Sequence, residues 1–292
     1  MIKQPNWKRC KMANSHKRYF EVLNWASSFL DTHQKEPYIA EYLILERNFW
    51  TKTDLLGHYR QVMPISEITQ LEADLELVLQ DIPPQYIIGS CQFYGQRFKV
   101  TADTLIPRPE TEELVQLCLQ GNESSKALKV IDVGTGTGAI ALSLKKQAPN
   151  WQVTAVDISD KALAVAEENG ERLALDCRFL KSDLLTAVIS EQFDVIISNP
   201  PYIGPDEWQE MDVSVRTYEP KLALFAEKEG LALYMRLAKE AKTVIKPTGK
   251  IYLEIGYRQG EAVKQIFKEA FPTKKVVVHQ DLTGHDRMIE VC

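Results

Sequence analysis

Hydrophobic positions follow two different periodicities along the chain. In residues 17–83 they recur at the spacing of an α-helix, as Phe20 and Leu23 do in the first segment. Helix-breaking residues cluster at 33–37 and 57–64. This part of the chain is therefore predicted to form a bundle of four or five short helices. We interpret it as a substrate-docking domain, with a purely stabilising cap as the alternative.

The pattern changes after Pro83. Residues 84–106 alternate apolar and polar positions and contain Gly89 and Gly95, which predicts a β-hairpin linking two domains. From 107 to 292, short apolar runs typical of strands alternate with helical patterns. This alternation predicts an α/β domain with a mostly parallel sheet covered by helices on both faces. The strand patterns lie at 129–132, 151–156, 177–180, 193–197, 250–255, 275–279 and 286–291.

Composition narrows the class of protein. Of the 292 residues, 45% are hydrophobic and 26% are charged, as in ordinary soluble globular proteins. The formal net charge of −5 argues against a protein whose affinity comes mainly from neutralising phosphates, so no direct nucleic-acid partner is expected. The five cysteines form no C-x-x-C pair and the five histidines show no ligand spacing. Neither a metal site nor a disulfide framework is predicted.

The sequence carries no signal for export or membrane insertion. No apolar run approaches the roughly 18–20 residues that span a bilayer, so no membrane partner is expected. Residues 1–16 are basic but lack the apolar core of a signal peptide, and we interpret them as a basic tail. We expect a cytoplasmic monomer.

A glycine-rich loop follows the first strand of the α/β domain. The stretch "VIDVGTGTGAIALSL", residues 130–144, combines a buried strand, a turn and the start of a helix. Ligands of such sheets bind at the carboxyl ends of strands, where helix N-termini offer free N–H groups. The glycine spacing differs from the dinucleotide fingerprint, and no Lys-Ser/Thr pair indicates a phosphate loop. We predict that the loop binds a cofactor through Gly134, Thr135, Gly136, Thr137 and Gly138.

Three aspartates near strand ends indicate which cofactor. Asp132 precedes the loop and would repel a phosphate. Asp157 ends the next strand at a spacing suited to ribose hydroxyls, and Asp183 is predicted to close the third and accept from an adenine amino group. Together with the loop, they favour an adenosyl group carrying positive charge, which is S-adenosylmethionine. A tight turn with solvated acids is the alternative, and it is the better reading of Asp157 or Asp183 taken alone.

The fourth strand pattern ends in Asn199-Pro200-Pro201-Tyr202. Alone, this could be a strand terminator, since proline cannot continue a ladder. Beside the glycine loop, the Asn199 side-chain oxygen and the Pro200 carbonyl can accept both hydrogens of a planar amino group and aim its nitrogen at a methyl group. Tyr202 would stack on that group and face the sulfonium. We predict that Asn199, Pro200 and Tyr202 are catalytic, and that these three with Pro201 bind the substrate. Asn199 is also predicted to contact the cofactor.

These residues carry a family resemblance. The chain resembles the HemK/PrmC family of protein-(glutamine-N5) methyltransferases, which modify the glutamine of the Gly-Gly-Gln motif in class 1 peptide chain release factors and so act in translation termination. The similarity covers nearly the whole chain beyond the basic tail. The matching stretches are "QYIIG" at 85–89, "FYGQRFKV" at 93–100, "LIPRPETEELV" at 105–115, "DVGTGTGAIAL" at 132–142, "NPPYIG" at 199–204, "YEPKLAL" at 218–224 and "LEIG" at 253–256.

The resemblance implies a class I S-adenosylmethionine-dependent methyltransferase fold. This is a Rossmann-like sheet of seven strands, the last of them antiparallel, over residues 107–292 and preceded by the helical domain. It also implies that Arg108 and Thr111 contact cofactor or substrate in a segment that wraps the pocket together with Pro109, and that Phe98 lines the pocket. Without it, Arg108 would be read as a surface ion-pair partner.

Three other functions share parts of this pattern. A glutamine methyltransferase of a ribosomal large-subunit protein would have the same loop and turn, although "LIPRPETE" and the helical domain favour release factors. An N6-adenine methyltransferase acting on DNA or RNA would also use the turn, but the negative charge and the lack of a basic, aromatic-rich recognition segment argue against it. A non-catalytic adapter that only binds the cofactor would not need Asn199.

Overall fold

The structure is a computed structural model that describes residues 16–205, 207–209 and 211–292. All of the predicted basic tail except His16 lies outside these residues. The chain divides into two units, one ending at Ile88 and the other spanning Gly89–Cys292.

The first unit is helical, as predicted. A threonine cap starts its third helix, because the Thr51 hydroxyl accepts from the Asp54 N–H while the Asp54 carboxylate accepts from the Thr51 N–H. Val22, Leu43 and Leu75 are among the side chains that fill its core. The described helices are α1 (Tyr19–Thr32), α2 (Tyr38–Asn48), α3 (Lys52–His58), α4 (Ile65–Val78) and α5 (Pro84–Ile88).

The predicted hairpin is present but shorter than the 84–106 range. It consists of β1 (Ser90–Phe93) and β2 (Gln96–Lys99), which pair antiparallel. Tyr94 and Gly95 between them have φ values of +49° and +70°, as a two-residue hairpin turn with the strand twist requires. The residues just before it form α5, since a proline at the first helical position favours helix.

The second unit contains a seven-stranded sheet in the order β5-β4-β3-β6-β7-β9-β8. The pairs formed among β3, β4, β5, β6 and β7 are all parallel, whereas β9 runs antiparallel to both of its neighbours. The predicted sheet with its last strand antiparallel is therefore confirmed. The strands are β3 (Lys129–Val133), β4 (Gln152–Asp157), β5 (Arg178–Lys181), β6 (Phe193–Ser198), β7 (Ile245–Glu254), β8 (Val276–Gln280) and β9 (Asp286–Val291).

Helices cover both faces of this sheet. Successive side chains of a strand point to opposite faces, so Val130 of β3 joins one hydrophobic core and Ile131 the other. The Val130 core includes residues of α6 and α7, and the Ile131 core includes residues of α10 and α11. The helices are α6 (Pro109–Gln120), α7 (Ala139–Gln147), α8 (Asp160–Leu173), α9 (Val213–Tyr218), α10 (Ala232–Val244) and α11 (Gly260–Ala270).

The strand order places a switch point between β3 and β6. The chain leaves β3 towards β4 on one side, and β6 pairs with β3 on the other. Crevices at the carboxyl ends of such strands bind ligands in open α/β sheets. Both the glycine loop after β3 and the turn after β6 begin at this point. Within the described part of the chain, no helix has the length and apolar character to cross a membrane.

Candidate functional site

The glycine loop folds back onto the neighbouring strand. The N–H groups of Gly134 and Thr135 both donate to the Val156 carbonyl of β4, at 2.9 Å each. Gly134 and Gly136 have φ values of +75° and +55°, which glycine adopts without strain, and a Cβ on either would meet no atom within 4 Å. At Gly138, with φ +80°, a Cβ would lie 3.2 Å from that of Ala166. The loop therefore leaves open space at the sheet edge while α7 and α8 pack closely.

Asp132 of β3 lies next to this loop with its side chain fully buried. Its Oδ2 accepts from the Thr135 hydroxyl at 2.6 Å and from the Ala141 N–H at 3.2 Å. No described residue donates a hydrogen bond to its buried Oδ1. Burial raises the pKa of the Asp132 carboxyl to about 7. The loop thus encloses an acidic group with a spare acceptor.

Asp157 is the last residue of β4 and is joined to the loop. Its Oδ2 accepts from the Gly136 N–H at 2.9 Å, and its Oδ1 accepts from the Ser159 N–H, also at 2.9 Å. A carboxylate oxygen can accept more than one hydrogen bond, so both oxygens retain acceptor capacity. The carboxylate is therefore held in one orientation at the sheet edge.

Asp183 does not close the third strand as predicted. β5 ends at Lys181, and Asp183 follows in the next loop with an exposed side chain. Its Oδ2 accepts from the Arg236 guanidinium of α10 at 2.9 Å. β5 ends at Lys181 because this residue pairs with Asp157, the last residue of β4, and no ladder partner lies beyond it.

The turn after β6 is held at both ends. Just before it, the Ser198 hydroxyl donates to the Val133 carbonyl at 2.6 Å, which ties the ends of β6 and β3 together. At its far end, the Gln259 amide donates to the carbonyls of Tyr202 at 3.0 Å and Glu229 at 3.1 Å. The Gln259 Oε1 accepts from the Gly256 N–H at 3.0 Å. Gln259 therefore joins three loops, a role that no sequence motif indicated.

The side chain of Asn199 belongs to a buried network. Its Nδ2 donates to the Thr111 hydroxyl of α6 at 3.1 Å. That hydroxyl donates to Oε2 of Glu254, the last residue of β7, at 2.7 Å, and the Tyr202 hydroxyl approaches the other carboxylate oxygen at 3.4 Å. Burial raises the pKa of Glu254 to about 7. Glu254 lies in the "LEIG" stretch, but the sequence did not indicate that its carboxylate contacts Thr111 and Tyr202.

Arg108 and Phe98 each contact other parts of the protein. The Arg108 guanidinium is paired with the buried carboxylate of Glu219, whose other oxygen accepts from the Ile106 N–H at 3.1 Å. Arg108 thus anchors the "YEP" stretch to the segment before α6. Phe98 is fully buried in the core, edge to face with Phe93 at 6.0 Å between ring centroids.

Both units of the chain match models of known protein families. Residues 111–215 match the model of the methyltransferase small domain, and residues 21–89 match that of the PrmC N-terminal domain. Among solved structures, a methyltransferase from Pyrococcus furiosus aligns with a TM-score of 0.50 at 21% identity, covering 66% of this chain and 86% of that one. The catalytic domain of hMettl16, solved with the MAT2A 3'UTR hairpin 6, gives a TM-score of 0.52 at 15% identity, with 80% and 84% covered. These likenesses show the methyltransferase fold.

Closely similar sequences identify the family, whereas the solved structures show only the fold. The release factor glutamine methyltransferase of Enterococcus faecalis is 53% identical over 272 residues, which cover 93% of this chain and 98% of that protein. The protein of the same name from Bacillus subtilis is 40% identical over 279 residues, covering 94% and 97%. Similarity of this extent, across both units, shows common descent along almost the entire chain. The chain belongs to the release factor glutamine methyltransferase family.

Proposed function

We propose that this enzyme transfers a methyl group from S-adenosylmethionine to the side-chain nitrogen, N5, of the glutamine in the Gly-Gly-Gln motif of class 1 peptide chain release factors. This reaction would support translation termination. The observation that carries the proposal is the Asn199 side chain, whose Nδ2 is bound to Thr111 and whose Oδ1 receives no hydrogen bond from any described residue. A free amide oxygen at the switch point is suited to accept a hydrogen from a substrate amide.

The acidic loop fits a cationic adenosyl cofactor. The space above Gly134 and Gly136 can admit a ligand, and the spare acceptor of Asp132 suits a positively charged group. The oriented carboxylate of Asp157 would bind ribose hydroxyls, and Asp183 would have to leave Arg236 or share its carboxylate to reach an adenine amino group. When bound, S-adenosylmethionine supplies an electrophilic methyl group on its sulfonium.

The enzyme's own groups would act by orientation. An amide nitrogen is a poor nucleophile because its lone pair is delocalised. The Asn199 Oδ1 and the Pro200 carbonyl would accept the two amide hydrogens, while Tyr202 stacks on the amide plane. Fixed acceptors need no reorganisation during the reaction, which is the main source of catalysis by preorganised sites. No strong general base is required, because the methylated nitrogen carries an acidic proton that can leave to water.

We further propose that the helical unit, residues 17–83, docks the release factor. The match of residues 21–89 to the PrmC N-terminal domain supports this assignment. Exposed apolar side chains on that unit, including Phe49, Leu56 and Ile65 at 73%, 63% and 61%, could contact a protein.

Replacing Asp157 by alanine should weaken cofactor binding. Losing hydrogen bonds to a charged group costs about 1.5–3 kcal/mol, so the dissociation constant should rise by about 10- to 100-fold. Isothermal titration calorimetry with S-adenosylmethionine would measure it. Asp160→Ala is a matched control, since that aspartate is exposed and pairs with Lys181. Equal affinities of Asp157→Ala and the parent protein would contradict the ribose assignment.

The proposed substrate can be tested by competition. Purified release factor, ribosomal large-subunit protein and DNA are incubated with the enzyme and isotopically labelled S-adenosylmethionine. Mass spectrometry should find the label on the Gly-Gly-Gln glutamine and nowhere else, and a release factor with that glutamine changed to alanine should stay unlabelled. Label on ribosomal protein or on DNA, with none on the release factor, would overturn the proposal.

A further inference from the structure

We propose that Glu254 and Thr111 are positioning residues that fix the Asn199 amide with its Oδ1 facing the substrate. This inference rests on the proposed function, in which that oxygen accepts a hydrogen of the substrate amide. The three side chains form an unbroken hydrogen-bond chain. Asn199 Nδ2 donates to Thr111 Oγ1 at 3.1 Å, and Thr111 Oγ1 donates to Glu254 Oε2 at 2.7 Å.

The direction of this chain follows from counting hydrogens. An ionised carboxylate only accepts, and a threonine hydroxyl has one hydrogen to donate. Thr111 must therefore give its hydrogen to Glu254 and can only accept from Asn199. The group of Asn199 that faces Thr111 must then be the NH₂, which leaves Oδ1 at the other end of the planar amide. The buried acid thus decides which end of the catalytic amide is presented.

Protonation of Glu254 would reverse the direction of both hydrogen bonds. A protonated carboxyl can donate to Thr111, which then donates to Asn199, and the amide is stable with its oxygen inward and its NH₂ towards the substrate. An NH₂ group cannot accept a hydrogen from the substrate amide, so this orientation is inactive.

The surroundings of Glu254 make this reversal accessible near neutral pH. Burial raises the pKa of Glu254 to about 7, with a further rise from Glu110 of α6, while Arg287 of β9 and the hydrogen bond from Thr111 lower it. The Tyr202 hydroxyl faces Oε1 at 3.4 Å, and the Tyr234 hydroxyl of α10 donates to the Glu254 backbone carbonyl at 2.7 Å. Burial raises the pKa of both tyrosines. Glu254 is therefore the member of this cluster that titrates in the working range.

The role of Thr111 in this network differs from the one implied by the resemblance. The resemblance implied that Thr111 contacts the cofactor or substrate directly. Its side chain is buried, with 5% of the residue exposed, and its hydroxyl bonds to Glu254 and Asn199. Thr111 therefore acts through Asn199.

Four variants test the hydrogen-bond chain from Asn199 to Glu254. Thr111→Val removes the hydroxyl at nearly constant volume, Thr111→Ser keeps it, and Glu254→Gln removes the titrating group. Glu290→Gln is the matched control, because Glu290 lies on the adjacent strand β9 and bonds to Tyr252 and His279 instead. Methylation of the release factor is measured from about pH 5.5 to 9, a range that extends to both sides of the Glu254 pKa of about 7. Calorimetry with S-adenosylmethionine checks that each variant is folded.

The parent enzyme should lose kcat as the pH falls below about 7, because protonated Glu254 turns the amide round. Thr111→Val should lower kcat by about tenfold at pH 8 with little change in KM, the loss typical of one hydrogen bond to a charged group. Thr111→Ser should restore kcat. The acidic limb of the pH profile should vanish in Glu254→Gln and Thr111→Val and persist in Glu290→Gln.

A readout independent of turnover follows the amide itself. The ¹⁵N-resolved Nδ2 signals of Asn199, assigned by their loss in Asn199→Ala, should shift with pH in the parent protein and stay constant in Glu254→Gln. An acidic limb that survives in Glu254→Gln, or a Thr111→Val enzyme with the parent kcat, would overturn the proposal. If the parent enzyme labels no glutamine, the proposed function fails instead, and the Asn199 signals still decide the orientation of the amide.

Discussion

Changing Asn199 to alanine should lower turnover by about 10²–10³-fold, the usual loss when one preorganised partner of a reacting group is removed. The variant deletes the acceptor that we assign to the substrate amide and leaves the glycine loop and Asp157 untouched. S-adenosylmethionine affinity should therefore stay within about twofold of the parent value. Rapid-quench measurement of one turnover would report the methyl-transfer step, and calorimetry the affinity.

A second asparagine provides the control for this prediction. Asn150 is exposed and donates to the Ser125 carbonyl, so Asn150→Ala should keep the parent rate. Full activity of Asn199→Ala would remove the central element of the mechanism. A loss of cofactor affinity equal to the loss of turnover would instead make Asn199 a cofactor ligand.

Changing Gly230 to alanine should both destabilise the protein and impair catalysis. Gly230 has a φ of +81°, and a Cβ on it would lie 2.0 Å from the Tyr202 carbonyl oxygen and 2.4 Å from the Gln259 Nε2. Those two atoms form the hydrogen bond that holds the far end of the turn after β6. The backbone must move, and a displacement of about 1 Å at a reacting group can cost about 10²-fold in rate. Strain and the lost hydrogen bond should together cost about 2–4 kcal/mol of unfolding free energy.

A Gly284→Ala variant is the control that distinguishes the steric clash at Gly230 from backbone strain alone. Its φ of +85° is nearly the same, but a Cβ there would meet nothing within 4 Å. Gly284→Ala should therefore lose only about 1 kcal/mol and keep its kcat. Denaturant unfolding and methylation assays on the two variants provide the comparison. Equal kcat values would mean that contacts around Gly230 do not hold the turn in its active position.

The two glycine variants illustrate a general feature of this site. Asn199 lies on a turn whose chain direction is set by prolines, but its position depends on groups from elsewhere. Gln259 holds the backbone at Tyr202, and Glu254 holds the side chain of Asn199 through Thr111. In the proposed mechanism Asn199 needs both constraints, because a rigid turn with a freely rotating side chain would present the wrong end of the amide part of the time.

Some elements differ in extent or position from those predicted from the sequence. The hairpin was predicted over 84–106 because alternation continues through "QYIIG", but Pro83 and Pro84 favour a helical turn there. Every second residue of β2 is buried, and Phe98, which was expected to line the pocket, is one of these. Asp183 was expected at a strand end, and the edge strand stopped before it.

Features that depend on neighbours along the chain could be predicted from the residue pattern. Alternating strand and helix patterns, the glycine loop and the proline turn each arise within about 15 residues, where backbone preferences and hydrophobic periodicity act directly. Contacts between side chains that are distant in sequence could not be predicted, because they depend on how the elements pack. Thr111 and Glu254 are 143 residues apart, and Asn199 and Thr111 are 88 apart. They come together because β6 and β7 are neighbours in the sheet and α6 packs against β7, an arrangement set by burial of the two cores rather than by any local pattern.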